Sequence, residues 1–193
     1  MKEIELKVHV QNRQKLIQKL NQIASYKGTV NKEDVYYKKK KTSENSSEIS
    51  IRLRTETFPE NEKSANFLLT YKQKERKISK DGISFEVNDE KECKMSSFEP
   101  LEAFLKDAGF EIYVKKHKEV KDWTLNGATL ELCNVEALGD FLEIEILTSK
   151  SDEKSLIESY KTLENLLELV EIPKDNIESR YYSDMILEAK KNL

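Results

Sequence analysis

The sequence is poor in the residues that staple, divide or anchor a chain. It has two cysteines, Cys93 and Cys133, among 193 residues. Two thiols that far apart make neither a disulfide framework nor a zinc-binding spacing. Glycine and proline are scarce, at five and three, and no Gly/Ser-rich stretch divides the chain, so a single domain over 1–193 is expected. No long apolar run and no signal-peptide pattern occurs, which excludes a membrane-spanning helix and makes the reducing cytoplasm the expected compartment. Neither sign of charge dominates: 33 basic residues face 36 acidic ones, for a net charge of −3. That balance argues against nucleic acid or a membrane surface as partner.

Charge itself is plentiful, at 36% of residues against an ordinary ~25%. Its placement follows the strand period of two. Over residues 3–10, Glu3, Glu5, Lys7 and His9 alternate with Ile4, Leu6, Val8 and Val10. Asn12 then suits a helix N-cap before Leu16, Ile17, Leu20 and Ile23. Strands are predicted at 28–40, 48–56, 66–74 and 82–88, with the Pro59-containing segment 57–64 as a loop. A helix opens at Ser96 or Ser97, carries Pro100 in its first turn and ends at Gly109. Strands follow at 110–121, 123–133 and 140–148, with Asn126-Gly127 as turn chemistry. A helix from Ser151 or Asp152 stops at Pro173, and a last one covers 178–191. The order is strand, helix, three strands, twice over, then helices. Eight strands suit a closed barrel, giving an α+β chain: an eight-stranded antiparallel closed barrel with helices packed outside.

On several strands the charged residues share one parity and the aliphatic ones the other. A half-buried sheet with a wet outer face would do the same, but it predicts interchangeable polar residues. Here the signs segregate. Carboxylates dominate the first and last barrel strands (Glu3, Glu5; Glu143, Glu145), and cations the middle ones (Arg52, Arg54; Lys72, Lys74; Lys116, Lys118). A closed barrel would gather them around one cavity. Carboxylates there suit Mg²⁺ or Mn²⁺, hard cations that prefer oxygen. Arg and Lys suit phosphate oxygens, Arg as a fork and Lys as a point charge. A metal-bound polyphosphate needs both at once. Other polar residues read more plainly: His9 and His117 as solvated or wall residues, Trp123 as packing, Lys38–Lys41 as an exposed strand end, Cys93 as a loop thiol.

The ordered motifs resemble the CYTH family of class IV adenylyl cyclases, thiamine triphosphatases and tripolyphosphatases. Glu3-Ile4-Glu5-Leu6-Lys7 resembles its ExExK strand, Arg52-Leu53-Arg54 its RxR, Leu69-Thr70-Tyr71-Lys72 its LTxK and Phe85-Glu86-Val87 a strand with an inward Glu. Lys116-His117-Lys118 stands where the family has KxR, Leu138–Glu145 resembles LGxFxEIE, and Arg180–Ile186 a C-terminal RSYSDLL-like segment. The resemblance implies a tunnel-forming barrel. It implies Glu3, Glu5, Glu143 and Glu145 as ligands for Mg²⁺ or Mn²⁺, and Lys7, Arg52, Arg54, Lys72, Lys116, Lys118 and Arg180 as phosphate-binding cations, with Lys72, Lys116 and Glu5 as catalytic residues. The implied substrate is ATP, turned into cyclic AMP and pyrophosphate. A triphosphatase acting on tripolyphosphate or thiamine triphosphate is the first alternative, and a non-catalytic polyphosphate- or nucleotide-binding module the second. The cyclase branch implies a homodimer. Three positions depart from the family pattern: Cys133 stands where Asp is common, Ser84 where Arg is common, and Lys118 where Arg is common.

Overall fold

A computed structural model describes residues 2–39, 50–78, 84–150 and 152–191, with backbone alone at 72–76 and a few other strand positions. The alternation at the start of the chain builds β1 (Lys2–His9), whose Ile4, Leu6 and Val8 are buried on the outer face. Asn12 caps α1 (Arg13–Ile23): its side-chain oxygen accepts from the Lys15 amide, satisfying one of the orphan donors of the first turn. Leu16 and Leu20 of α1 then pack onto the β1 face. Each such buried aliphatic side chain contributes about 1.5–3 kcal/mol.

The remaining elements are β2 (Ser25–Lys39), β3 (Ser50–Phe58), β4 (Asn61–Ile78), β5 (Ser84–Met95), α2 (Glu99–Asp107), β6 (Phe110–Leu125), β7 (Ala128–Val135), β8 (Gly139–Thr148), α3 (Glu153–Leu169) and α4 (Tyr182–Lys191), with a 3-10 turn at Lys174–Asn176. Among the described residues this is an α+β chain with one large antiparallel sheet and four helices. The ladder runs β1-β5-β4-β3-β2-β6-β7-β8, and β8 pairs back onto β1 as a closed barrel. α1 and α3 lie outside it: Leu163 and Leu167 of α3 bury fully against Ile4, Leu130 and Ile144, and Tyr160 stacks on Phe85 with ring centroids 4.4 Å apart. No described helix is long and apolar enough to cross a membrane.

Several boundaries differ from the sequence reading, each for a physical reason. Residues 57–64 are no loop. Strands β3 and β4 meet across a turn at Pro59-Glu60, because Pro fixes its own φ for such a turn and Glu60 and Asn61 after it are exposed. The sixth strand runs unbroken to Leu125. The break falls at Asn126 (φ 52°) and Gly127 (φ 80°), where both residues take the left-handed conformation that a two-residue hairpin turn requires. Phe98, not a serine, stands at the α2 N-cap with no side-chain capping bond. Its ring packs edge-on against Phe67, which anchors the helix start by apolar contact. The last helix begins only at Tyr182. Ile177 bridges to Val8, and the Glu178 amide donates to the Lys7 carbonyl, so this stretch extends the sheet edge. Asp152 caps α3 through the Ser155 amide. Lys40, Lys41, the Asp81-Gly82 turn and Ser151 lie outside the described residues.

Candidate active site

Strand alternation puts the charged parity inside the barrel, around a cavity of about 350 Å³. One wall offers carboxylates, Glu3, Glu5 and Glu145, and the other offers Arg52, Arg54 and Lys116. The first turn of α4 and the phenol rings of Tyr36, Tyr113 and Tyr181 complete its border.

The cation wall is organised by a residue the sequence reading passed over. Asp34 lies in the middle of β2, between β3 and β6, and register places it directly opposite Arg54 on one side and Lys116 on the other. It is 1% exposed. Arg54 donates to it twice, from Nε at 2.7 Å and from a terminal nitrogen at 3.0 Å, and the Lys116 ammonium lies 3.0 Å from the same carboxylate. Burial pushes the Asp34 carboxyl up, but Arg54 and Lys116 outweigh it and hold the group well below the usual carboxylate range. Arg52 donates to Thr70 at 3.0 Å and lies 3.9 Å from Glu92. The inward parity Lys32-Asp34-Tyr36-Lys38 was the available signal, hidden by the lysine run that follows it.

Apart from Asp34, two close-set groups of inward acidic residues stand among the described residues. In one, ligand atoms of Glu3, Glu5 and Glu145 all lie within 4.8 Å of one another. Asn88 donates to Glu3 at 3.2 Å. Burial, and then the surrounding carboxylates Glu131, Glu3, Glu5 and Glu143, push the Glu145 carboxyl well above its usual range. A half-buried, all-oxygen donor set of three close carboxylates fits a hard divalent cation. The second group, Glu131, Cys133 and Glu143, is equally close-set but fully buried. The Lys118 ammonium sits among its members, 2.9 Å from Glu131, 2.6 Å from Glu143 and 3.5 Å from the Cys133 sulfur. Lys32 adds a second ammonium 2.5 Å from Glu131. Burial raises the Glu143 carboxyl, yet Lys118 reverses this and leaves it at about 2. Thus Glu143 is set apart from the other three predicted metal ligands, and Lys118 points at carboxylates.

Other predicted residues scatter more widely. Cys133 points inward with Glu131, beside Glu143, as alternation requires, and burial pushes its thiol pKa up. Lys7 is buried but turned to the segment before α4, donating to the Arg180 carbonyl at 2.5 Å and standing 4.2 Å over the Tyr182 ring. The Arg180 side chain is about half exposed and paired with Glu178 and Glu188, off the cavity lining. Lys72 has its backbone on β4, next to the cavity residue Thr70, and its side chain is outside the described residues, as is that of Ser84. His9 and His117 meet Glu178 and Glu33 at the surface. Trp123 is core, donating to Asn21 at 2.9 Å.

The family model for the CYTH domain matches residues 1–182, and this chain belongs to that family. A Methanocaldococcus jannaschii protein, MJ0240, described as a candidate adenylate cyclase, is 28% identical over 96% of this chain and 98% of its own length. Among solved structures, the PH1819 protein of Pyrococcus horikoshii has the same fold, with a TM-score of 0.78 and 24% identity over 96% of this chain and 98% of that one. HpAC1 from Hippeastrum, described as a candidate adenylyl cyclase with a dominant triphosphatase activity, superposes with a TM-score of 0.63 and 17% identity, covering 100% of this chain and 96% of that one.

Proposed function

We propose that this protein is a divalent-metal-dependent enzyme acting on a triphosphate inside its barrel, and that the triphosphate is ATP, converted to cyclic AMP and pyrophosphate. The observation that carries this reading is one cavity with a three-carboxylate cluster on one wall and Arg52, Arg54 and Lys116 on the other. Glu3, Glu5 and Glu145 would hold Mg²⁺ or Mn²⁺, which neutralises phosphate charge when bound. Arg54 and Lys116, steadied by Asp34, keep further donors for phosphate oxygens, and Arg52 stands beside them. In the cyclase reaction the ribose 3′-hydroxyl attacks the α-phosphorus and pyrophosphate leaves. Such a site works by positioning and charge neutralisation. The tyrosines bordering the cavity supply faces on which a nucleobase can stack.

A second reading keeps the site and changes the nucleophile: water attacks a terminal phosphorus. It is favoured by the site's composition, because its charged groups address the phosphates rather than the base, and the Hippeastrum relative shares this fold. Incubation with ATP, tripolyphosphate and thiamine triphosphate, each with Mg²⁺ or Mn²⁺, followed by product identification, separates the two. Cyclic AMP with pyrophosphate from ATP supports the cyclase, orthophosphate with the matching diphosphate (ADP, thiamine diphosphate, or pyrophosphate from tripolyphosphate) the hydrolase, and no turnover of any of them refutes both.

A further inference from the structure

The two carboxylate groups in the barrel differ in what stands at their centre. In the buried group, the Lys118 nitrogen lies within hydrogen-bond reach of Glu131, Glu143 and the Cys133 sulfur. An ammonium has three N–H donors, and these three partners use all of them. Lys118 is 3% exposed, and Glu143 likewise 3%. Cys133 accepts from Lys118 and turns its own proton to the Glu131 carbonyl, 3.6 Å from the sulfur, so it acts as a neutral thiol here. The charges close on themselves: carboxylates Glu131 and Glu143 face ammoniums Lys118 and Lys32. A carboxylate at position 133 would leave this group one charge negative; a thiol leaves it balanced.

We propose that the Lys118 ammonium is a built-in cation occupying the place between Glu131, Cys133 and Glu143 that a metal ion would otherwise take. The chain then accepts its divalent ion at Glu3, Glu5 and Glu145 alone, one per chain. The one-ion part rests on the metal reading of the proposed function; the closure of the second group does not. Two consequences follow. Lys118 is a structural and positioning residue, with no donor left for phosphate. The second group also has the makings of a site for a softer ion, since removing the ammonium exposes a thiol between two carboxylates. That donor set suits Co²⁺ or Zn²⁺, with the thiol proton released on binding.

The test is metal binding to the full chain. Equilibrium dialysis with Mn²⁺ should give one ion per wild-type chain, lost in Glu5→Gln and unchanged in Glu131→Gln. Co²⁺ should produce no thiolate-to-cobalt charge-transfer band in the wild type. In Lys118→Met, which keeps the chain length and loses the charge, a second ion should bind and the band should appear, then vanish in Lys118→Met/Cys133→Ser. A wild-type chain that binds two Mn²⁺ and drops to one in Glu131→Gln overturns the proposal. So does a folded Lys118→Met protein with neither a second ion nor the cobalt band. Should Lys118→Met fail to fold, the dialysis of wild type and Glu131→Gln still decides. A wild-type chain that binds no Mn²⁺ refutes the metal reading of Glu3, Glu5 and Glu145, and the cobalt band in the variant then decides the closure by itself.

Discussion

Replacing Asp34 by asparagine removes one negative charge and keeps the side chain's shape. In the wild type that carboxylate faces the Arg54 guanidinium through two bonds and the Lys116 ammonium at 3.0 Å, with 1% of its surface exposed. The amide would leave two buried cations beside each other with no counter-charge between them. Breaking a buried ion pair by removing one partner costs about 3–5 kcal/mol. For a chain of this length each kcal/mol lowers Tm by roughly 2–4 °C, so Asp34→Asn should melt roughly 6–20 °C below wild type. The pH dependence has a definite sign. The folded-state pKa of Asp34 is depressed below its usual 3.8, so its contribution is fully present above that value and is lost as pH falls through the lower folded pKa. The gap between wild type and variant should therefore be constant near neutrality and shrink only in strong acid. Tripolyphosphate supplies a second check. An anion lying on Arg54 and Lys116 replaces the missing charge, so it should raise the Tm of Asp34→Asn more than that of wild type. Thermal melts followed by circular dichroism, with and without tripolyphosphate, measure both effects. A variant that melts within about 1 °C of wild type at neutral pH would falsify the counter-ion role of Asp34.

Three further outcomes are expected. Arg54→Lys should lose one of the two bonds to Asp34, at about 1.5–3 kcal/mol of stability for a charged bond, and should lower kcat/KM by at least about tenfold; kinetics equal to wild type would reduce Arg54 to a screening charge. Glu5→Ala should cut metal-dependent turnover at least ~10²-fold with little loss of stability, whereas Glu143→Ala should destabilise the fold by about 3–5 kcal/mol by leaving the buried Lys118 and Lys32 to share the one counter-charge of Glu131; the same pattern of turnover and melting in both variants would contradict the division of the carboxylates. Burial, and then Glu131, raises the Asp122 carboxyl to about 6, so ionising it in the folded state opposes folding as pH rises from about 4 through 6. Asp122→Asn should accordingly be more stable than wild type at pH 7, by about 1–2 kcal/mol, and level with it in acid; urea titrations across that range that show no pH-dependent gap would contradict this.

Local pattern carried much of this architecture. The alternation Glu3-Ile4-Glu5-Leu6-Lys7 foretold both faces of β1, and period two also put Cys133 beside Glu143 inside the sheet. Asn12, Asp152 and Asn126-Gly127 announced two helix starts and one hairpin, because capping and left-handed turns depend on the residue in place. What local pattern could not carry was partnership. Asp34 meets Arg54 and Lys116 only because β2 lies between β3 and β6 in a given register, a pairing across 20 and 82 sequence positions. Lys118 and Glu143 share the inward parity of the other charged residues; only the packed geometry tells that one closes over the other. Arg180 stood in a family-like segment, yet three side-chain bonds to Glu178 and Glu188 hold it at the surface.

These partnerships also sort the cations by what they can still bind. Lys118 uses its three donors within the protein, and Lys7 is committed to the Arg180 carbonyl and the face of Tyr182. Arg54 gives two of a guanidinium's five donors to Asp34. Lys116 meets the same carboxylate at 3.0 Å and stands 5.0 Å from the Tyr182 ring, on the cavity lining. Asp34 offsets only one of these two charges, so the pair keeps a net positive charge facing the cavity. An anion that approaches from the cavity meets that surplus on one wall and the Glu3, Glu5 and Glu145 carboxylates on the other. Repulsion from the carboxylates disfavours a bare polyanion, and repulsion from Arg54 and Lys116 disfavours a bare cation deep in the cavity. The arrangement is complementary to the two together, and this is the electrostatic ground for the proposed substrate, a triphosphate with its divalent ion rather than either component alone.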